Sequence, residues 1–131
     1  MSFELYCVAW TLVLAIVQIL LASLTRTAQY GAKWNVGARD GEPPPLNPLP
    51  ARLLRAQANL FETMPIFITS ILLAAIAGRS GDLTHWGALI YLAARIVYVP
   101  LYAAGVPVVR TIVWTISLLG IAMCLAAVLL P

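Results

Sequence analysis

The sequence predicts an all-α integral membrane protein, a bundle of four spanning helices forming one domain over residues 1–131. Three observations predict it. Of its 131 residues, 62% are hydrophobic and only 10% charged, whereas soluble domains carry about 25% charged residues. The apolar residues lie in long blocks, and a helix needs about 20 such residues to cross a bilayer. The blocks are separated by turn-forming runs: G-A-R-D-G-E-P-P-P, G-R-S-G-D and A-A-G-V-P. The net charge of +3 is scattered, with no basic run and no basic–aromatic interleaving, so the sequence gives no sign of a nucleic-acid partner.

The first span is expected over about 3–24. It has no basic leading region, and its apolar stretch is too long for a signal peptide, so it reads as a retained helix. Gln18 interrupts it, and a buried amide is expected to bond a neighbouring helix. A long loop follows over about 25–50, where five prolines and three glycines oppose a continuous helix. Within it, Tyr30 and Trp34 suit the headgroup layer. The second span is expected over 51–77, with proline at a permitted first-turn position; its polar first half should project beyond the hydrocarbon. The third is expected over 85–102 and the fourth over 108–130, leaving both termini on one side.

Arg26, Lys33, Arg39, Arg52 and Arg55 surround the first loop and Arg110 lies beside the third, while the opposite face has only Arg79. Basic residues favour the cytoplasm, so the first and third loops should be cytoplasmic. Cys7 and Cys124 fall inside apolar blocks and read as inert. Both lie toward the same membrane face, which leaves a disulfide open. His85 stands alone near a turn, giving no metal site, and nothing resembles a serine or cysteine nucleophile with its base.

The polar residues within the spans share faces. Positions three, four and seven apart lie on one side of a helix. Arg52, Arg55, Asn59 and Glu62 form such a stripe, and Tyr91, Arg95, Tyr98 and Tyr102 form another. Gln57 lies off the first stripe. The fourth span opens with Arg110, followed by Thr111 and Trp114, and Arg110 should lie at similar depth to Arg55, Asn59, Tyr98 and Tyr102. Ionised side chains inside a span are costly and face a polar cavity or a partner. Glu62 alone cannot pair Arg55, Arg95 and Arg110 together, so the set seeks an anion, one with carboxylates for the arginines and an ammonium for Glu62. A lipid-soluble second molecule has access from the bilayer.

The run R-A-Q-A-N-L-F-E-T-M-P, Arg55 to Pro65, resembles the second-helix signature of the MAPEG family, the membrane-associated proteins of eicosanoid and glutathione metabolism, in the form close to its leukotriene C synthase. R-I-V-Y-V-P-L-Y, Arg95 to Tyr102, followed by G-V-P-V-V-R, resembles that family's third helix and the start of its fourth. The resemblance implies a homotrimer with glutathione bound between subunits on the cytoplasmic side. It implies a glutathione transferase, with or without peroxidase activity, that uses glutathione as co-substrate and no metal. Its partners would be glutathione, a lipophilic substrate and membrane lipids, in a bacterial inner membrane.

By position, Arg55, Gln57, Asn59, Glu62, Arg95, Tyr98 and Tyr102 would bind glutathione, Glu62 taking the ammonium, and Arg110 would stabilise its thiolate. Arg52, Arg26, Lys33 and Thr111 are further candidates. The sequence departs from the family at Thr63, where the leukotriene enzyme has tyrosine, and lacks the histidine of the prostaglandin-synthase motif. These departures favour a general, bacterial-type transferase. Two other readings stand beside it: a non-catalytic lipid- or glutathione-binding relative, and a small multidrug exporter. The edge position of Glu4 weighs against the exporter, which should hold a carboxylate deep in its first span.

Overall fold

A computed structural model describes all 131 residues. Five helices account for the chain: α1 (Phe3–Tyr30), a short α2 (Ala32–Val36), α3 (Pro48–Ile76), α4 (Asp82–Ala103) and α5 (Pro107–Leu129). There are no strands. The four long helices are each long and apolar enough to cross a membrane, and they alternate in direction, forming a four-helix membrane bundle. Glu4 at the start of α1 accepts a hydrogen bond from Thr84 at the start of α4, 2.9 Å away. Arg79, after α3, donates to the carbonyl of Leu130, just past α5. The N-terminus, the α3–α4 turn and the end of α5 thus share one end of the bundle. The long loop and the α4–α5 turn share the other.

Helix boundaries depart from the sequence expectation in ways the residues explain. Helix α1 continues six residues past Leu24 to Tyr30, because nothing between Thr25 and Tyr30 breaks it. It stops at Gly31, whose φ of 95° is one that few other residues tolerate. The loop therefore begins later than residue 25, and α2 adds a helical turn within it. Helix α3 starts at Pro48, proline occupying its first turn. Helix α4 starts three residues before His85, where the Thr84 hydroxyl accepts from the Gly81 amide at 2.9 Å. At 28 and 29 residues, α1 and α3 are each about 42 Å long at about 1.5 Å per residue. The hydrocarbon is only about 30 Å thick, so both helices project beyond it.

The end of α1 holds the loop in place. The Gln29 side chain donates to the Pro45 carbonyl at 3.0 Å and accepts from the Asn47 amide at 2.7 Å. The Tyr30 hydroxyl donates to the Pro44 carbonyl at 2.5 Å. The proline tract is thereby tied back to α1 immediately before α3 begins. Trp34 of α2 lies between two guanidiniums, Arg26 at 5.6 Å and Arg39 at 4.8 Å from its ring centre.

Residues Cys7, Val8, Phe67, Ile71, Ala88, Tyr91, Ile121 and Cys124 form the main buried core, while Trp10, Ile16, Leu20, Ile112 and Leu119 are exposed on the outer surface, as a lipid-facing surface requires. Both cysteines are buried and free. Although they share that core, no α1 residue lies within 8 Å of α5, Cα to Cα. A disulfide needs Cα atoms about 4.4–6.8 Å apart, so the pairing left open by the sequence is excluded.

Helices α4 and α5 make the closest approach, at Gly87 and Gly120. A Cβ on Gly120 would stand 2.7 Å from the Gly87 carbonyl oxygen, and one on Gly87 would stand 2.7 Å from both the Gly120 carbonyl and Cys124 Sγ. Small residues let transmembrane backbones touch in this way. Gly120→Ala should force the helices apart and destabilise the protein by about 1–3 kcal/mol. Thermal unfolding in detergent measures this, and an unchanged midpoint would contradict the packing.

Candidate functional site

The cavity at the loop end has a volume of about 380 Å³ and lies where α3, α4 and α5 converge. The polar stripe of α3 supplies Arg55, Asn59 and Glu62; α4 supplies Tyr98 and Tyr102; α5 supplies Arg110, Thr111 and Trp114. Helix α3 runs toward the opposite end while α4 returns, so their stripes meet at one level. Arg55 Nε donates to the Tyr102 hydroxyl at 3.1 Å. The Arg110 guanidinium lies 4.6 Å and that of Arg55 5.7 Å from the centre of the same ring. Tyr102 thus holds two cations at its face, each favoured by the ring quadrupole. Tyr98 meets Tyr102 edge-on at 5.5 Å.

Arg95 lies behind this wall and is fully buried. Its Nη1 donates to Asn59 Oδ1 at 2.7 Å, and its guanidinium packs 4.3 Å from the Tyr98 ring centre. Its hydrogen bond goes to a neutral amide and not to Glu62, so that carboxylate faces the cavity without being bonded to Arg95. Arg95 Nε and Nη2 have no partner. Three guanidiniums therefore stand in or directly behind a cavity whose only carboxylate is Glu62. One turn deeper, the Tyr91 hydroxyl is 2.9 Å from Thr63 Oγ1, and its ring stacks on Phe67. These contacts fix α3 against α4 just below the site.

Arg52 is set apart from this cavity, in a smaller one described below. Gln57 is half-buried and does not line the cavity. Arg26 packs on Trp34 and Lys33 is exposed on α2, both outside the cavity. His85 lies at the opposite end, stacked on Phe3 at 4.2 Å.

Two residues that the sequence singles out without a role in the site are buried with unpaired polar groups. Trp114 lines the cavity, yet its indole N–H is buried without a partner; its place four residues after Arg110 was the available signal. Gln18 is 1% exposed, and neither end of its amide has a partner. The expected bond to a neighbouring helix is absent. Glu4 touches Thr84, and fourteen residues further along each helix come Gln18 and Tyr98, so Gln18 is level with Tyr98. An unpaired buried amide costs about 1–3 kcal/mol. Gln18→Met should therefore raise the thermal midpoint of the detergent-solubilised protein, and a lowered midpoint would show that the amide is bonded.

The family model described as the MAPEG family matches residues 7–130. No curated protein and no solved structure matches the chain at a significant level.

Proposed function

The chain belongs to the MAPEG family, and on that premise we propose that it is a membrane-bound glutathione transferase or peroxidase. The observation that carries this reading is the charge balance of the 380 Å³ cavity: an excess of guanidinium with one carboxylate. Glutathione has the complementary charges, two carboxylates and one ammonium. Glu62 takes the ammonium. Arg55 and Asn59 hold the adjoining carboxylate, with Asn59 oriented by Arg95. Tyr98 and Tyr102 complete the wall, and Arg110 faces the thiol. A free thiol has a pKa of about 8.5, and a neighbouring cation lowers it, so more thiolate is present at neutral pH. That thiolate attacks a lipophilic electrophile or reduces a hydroperoxide arriving from the bilayer. Thr111 lies beside Arg110 on the cavity wall and is a secondary contact.

Gln57 joins such a site only from a neighbouring copy, which fits a homotrimer with glutathione between subunits; Arg26 and Lys33 would contribute from the same direction. The concentration of basic residues at the loop end supports a cytoplasmic site, in what we take to be a bacterial inner membrane. The test is to titrate glutathione into the detergent-solubilised protein and follow thiolate absorbance in the ultraviolet. A saturable signal is expected. Binding without a thiolate signal would indicate a binding-only member, and no binding would overturn the site.

A further inference from the structure

Beside the main cavity, separated from it by a shared wall of Arg55, Tyr102 and Arg110, is a second one of about 230 Å³. Its remaining lining includes Arg52, Gly105 and Pro107. Three guanidiniums face this small volume and no carboxylate does. The N-terminus of α5 also lies here: Pro107 is in its first turn, and no side chain caps it. The first amides of a 23-residue helix add partial positive charge at the same place.

The backbone makes room for this arrangement. Gly105 has a φ of 75°, and a Cβ there would lie 2.8 Å from Arg52 Cζ. Glycine therefore lets the guanidinium rest against the α4–α5 turn. Arg52 makes one long bond, from Nη1 to the Ala103 carbonyl at 3.4 Å, leaving most of its five donors free.

The surroundings name the ligand. Helix α5 becomes apolar immediately beyond the cavity, with Val108, Val109 and Ile112 exposed at 68%, 49% and 54%. The cavity therefore lies at the edge of the hydrocarbon, at headgroup depth, with a lipid-facing strip leading away from it. We propose that it seats the phosphate of an anionic glycerophospholipid, whose acyl chains lie along that strip. Arg52 and Arg110 grip the phosphate oxygens and the α5 amides face it. The two cavities share Arg55, Tyr102 and Arg110, so the lipid is tested apart from glutathione through Arg52, which lines only the smaller one.

The test is native mass spectrometry of the full chain, equilibrated in detergent with equal amounts of phosphatidylglycerol and phosphatidylcholine of matched chains, without glutathione. The wild type should retain phosphatidylglycerol over phosphatidylcholine by about tenfold, because both carry the phosphate but only phosphatidylcholine brings a quaternary ammonium, which three guanidiniums and no carboxylate repel. Arg52→Gln, and Gly105→Ala by displacing Arg52, should each bring the ratio close to one. Arg79→Gln, which removes the same charge at the other end of the bundle, should keep it. Equal retention of both lipids by the wild type, or an undiminished preference in Arg52→Gln, would overturn the proposal. So would release of phosphatidylglycerol by stoichiometric glutathione, which would give the cavity to the tripeptide. Release by inorganic phosphate at equal concentration would also overturn it, giving the cavity to a free anion.

Discussion

Replacing Arg110 with alanine is expected to remove most of the thiolate absorbance of bound glutathione at neutral pH and to lower turnover about ten- to a thousandfold. The magnitude follows from a neighbouring cation depressing an acidic group by about 1–3 pKa units. The direction can be checked separately. Without the guanidinium the thiol titrates at higher pH, so activity of the variant should climb as pH rises, over a range where the wild type is already level. Arg110→Lys should recover part of the signal, since a point charge is restored without the planar contact that places Arg110 4.6 Å from the Tyr102 ring centre. A variant with undiminished thiolate absorbance would transfer this role to Arg55, the other guanidinium at that ring.

Asn59→Leu should destabilise the protein by about 1.5–3 kcal/mol, the cost of removing a hydrogen bond to a buried charged group. Asn59 Oδ1 is the acceptor for Arg95, whose other buried donors are already unpaired. The diagnostic is the double variant. Replacing Arg95 as well, by methionine, removes the stranded charge, so Asn59→Leu with Arg95→Met should be at least as stable as wild type while binding no glutathione. Chemical unfolding in detergent gives both numbers. Equal destabilisation in the single and double variants would mean that Asn59 acts through packing alone.

Much of this architecture was legible in the sequence because the bilayer simplifies the problem. Residues 51–77 read as one spanning helix longer than the bilayer requires, and the spacing of Arg55, Asn59 and Glu62 fixes them on one side of it. Since α3 and α4 run in opposite directions, counting also puts Arg55 and Asn59 near the level of Tyr98 and Tyr102, whereas the bond from Arg95 to Asn59 rather than to Glu62 is visible only in the structure. Less visible was anything that depends on rotation about the helix axis or on the loop. Gln18 reads as a residue that will find a partner, and only the packing of α1 shows it enclosed without one. The sequence places Arg52 beside Arg55 on one stripe, yet only Arg55 reaches the main cavity, while the Arg52 guanidinium rests against Gly105 in the smaller one. Helix α1 overran its expected end because hydropathy marks where the membrane stops, whereas the helix stops only where the backbone must turn.

The fastening of the proline tract by Gln29 and Tyr30 bears on the order in which the protein is made. All of its bonds join residues 29–47, so α1 and the start of α3 can be secured to each other before the ribosome has added the second half of the chain. The residues that Arg55, Asn59 and Glu62 await, Arg95, Tyr102 and Arg110, belong to that later half. The nascent hairpin therefore enters the bilayer with its polar stripe uncovered. The stretch of α3 that extends past the hydrocarbon keeps the stripe's outer arginines in water until the second hairpin arrives.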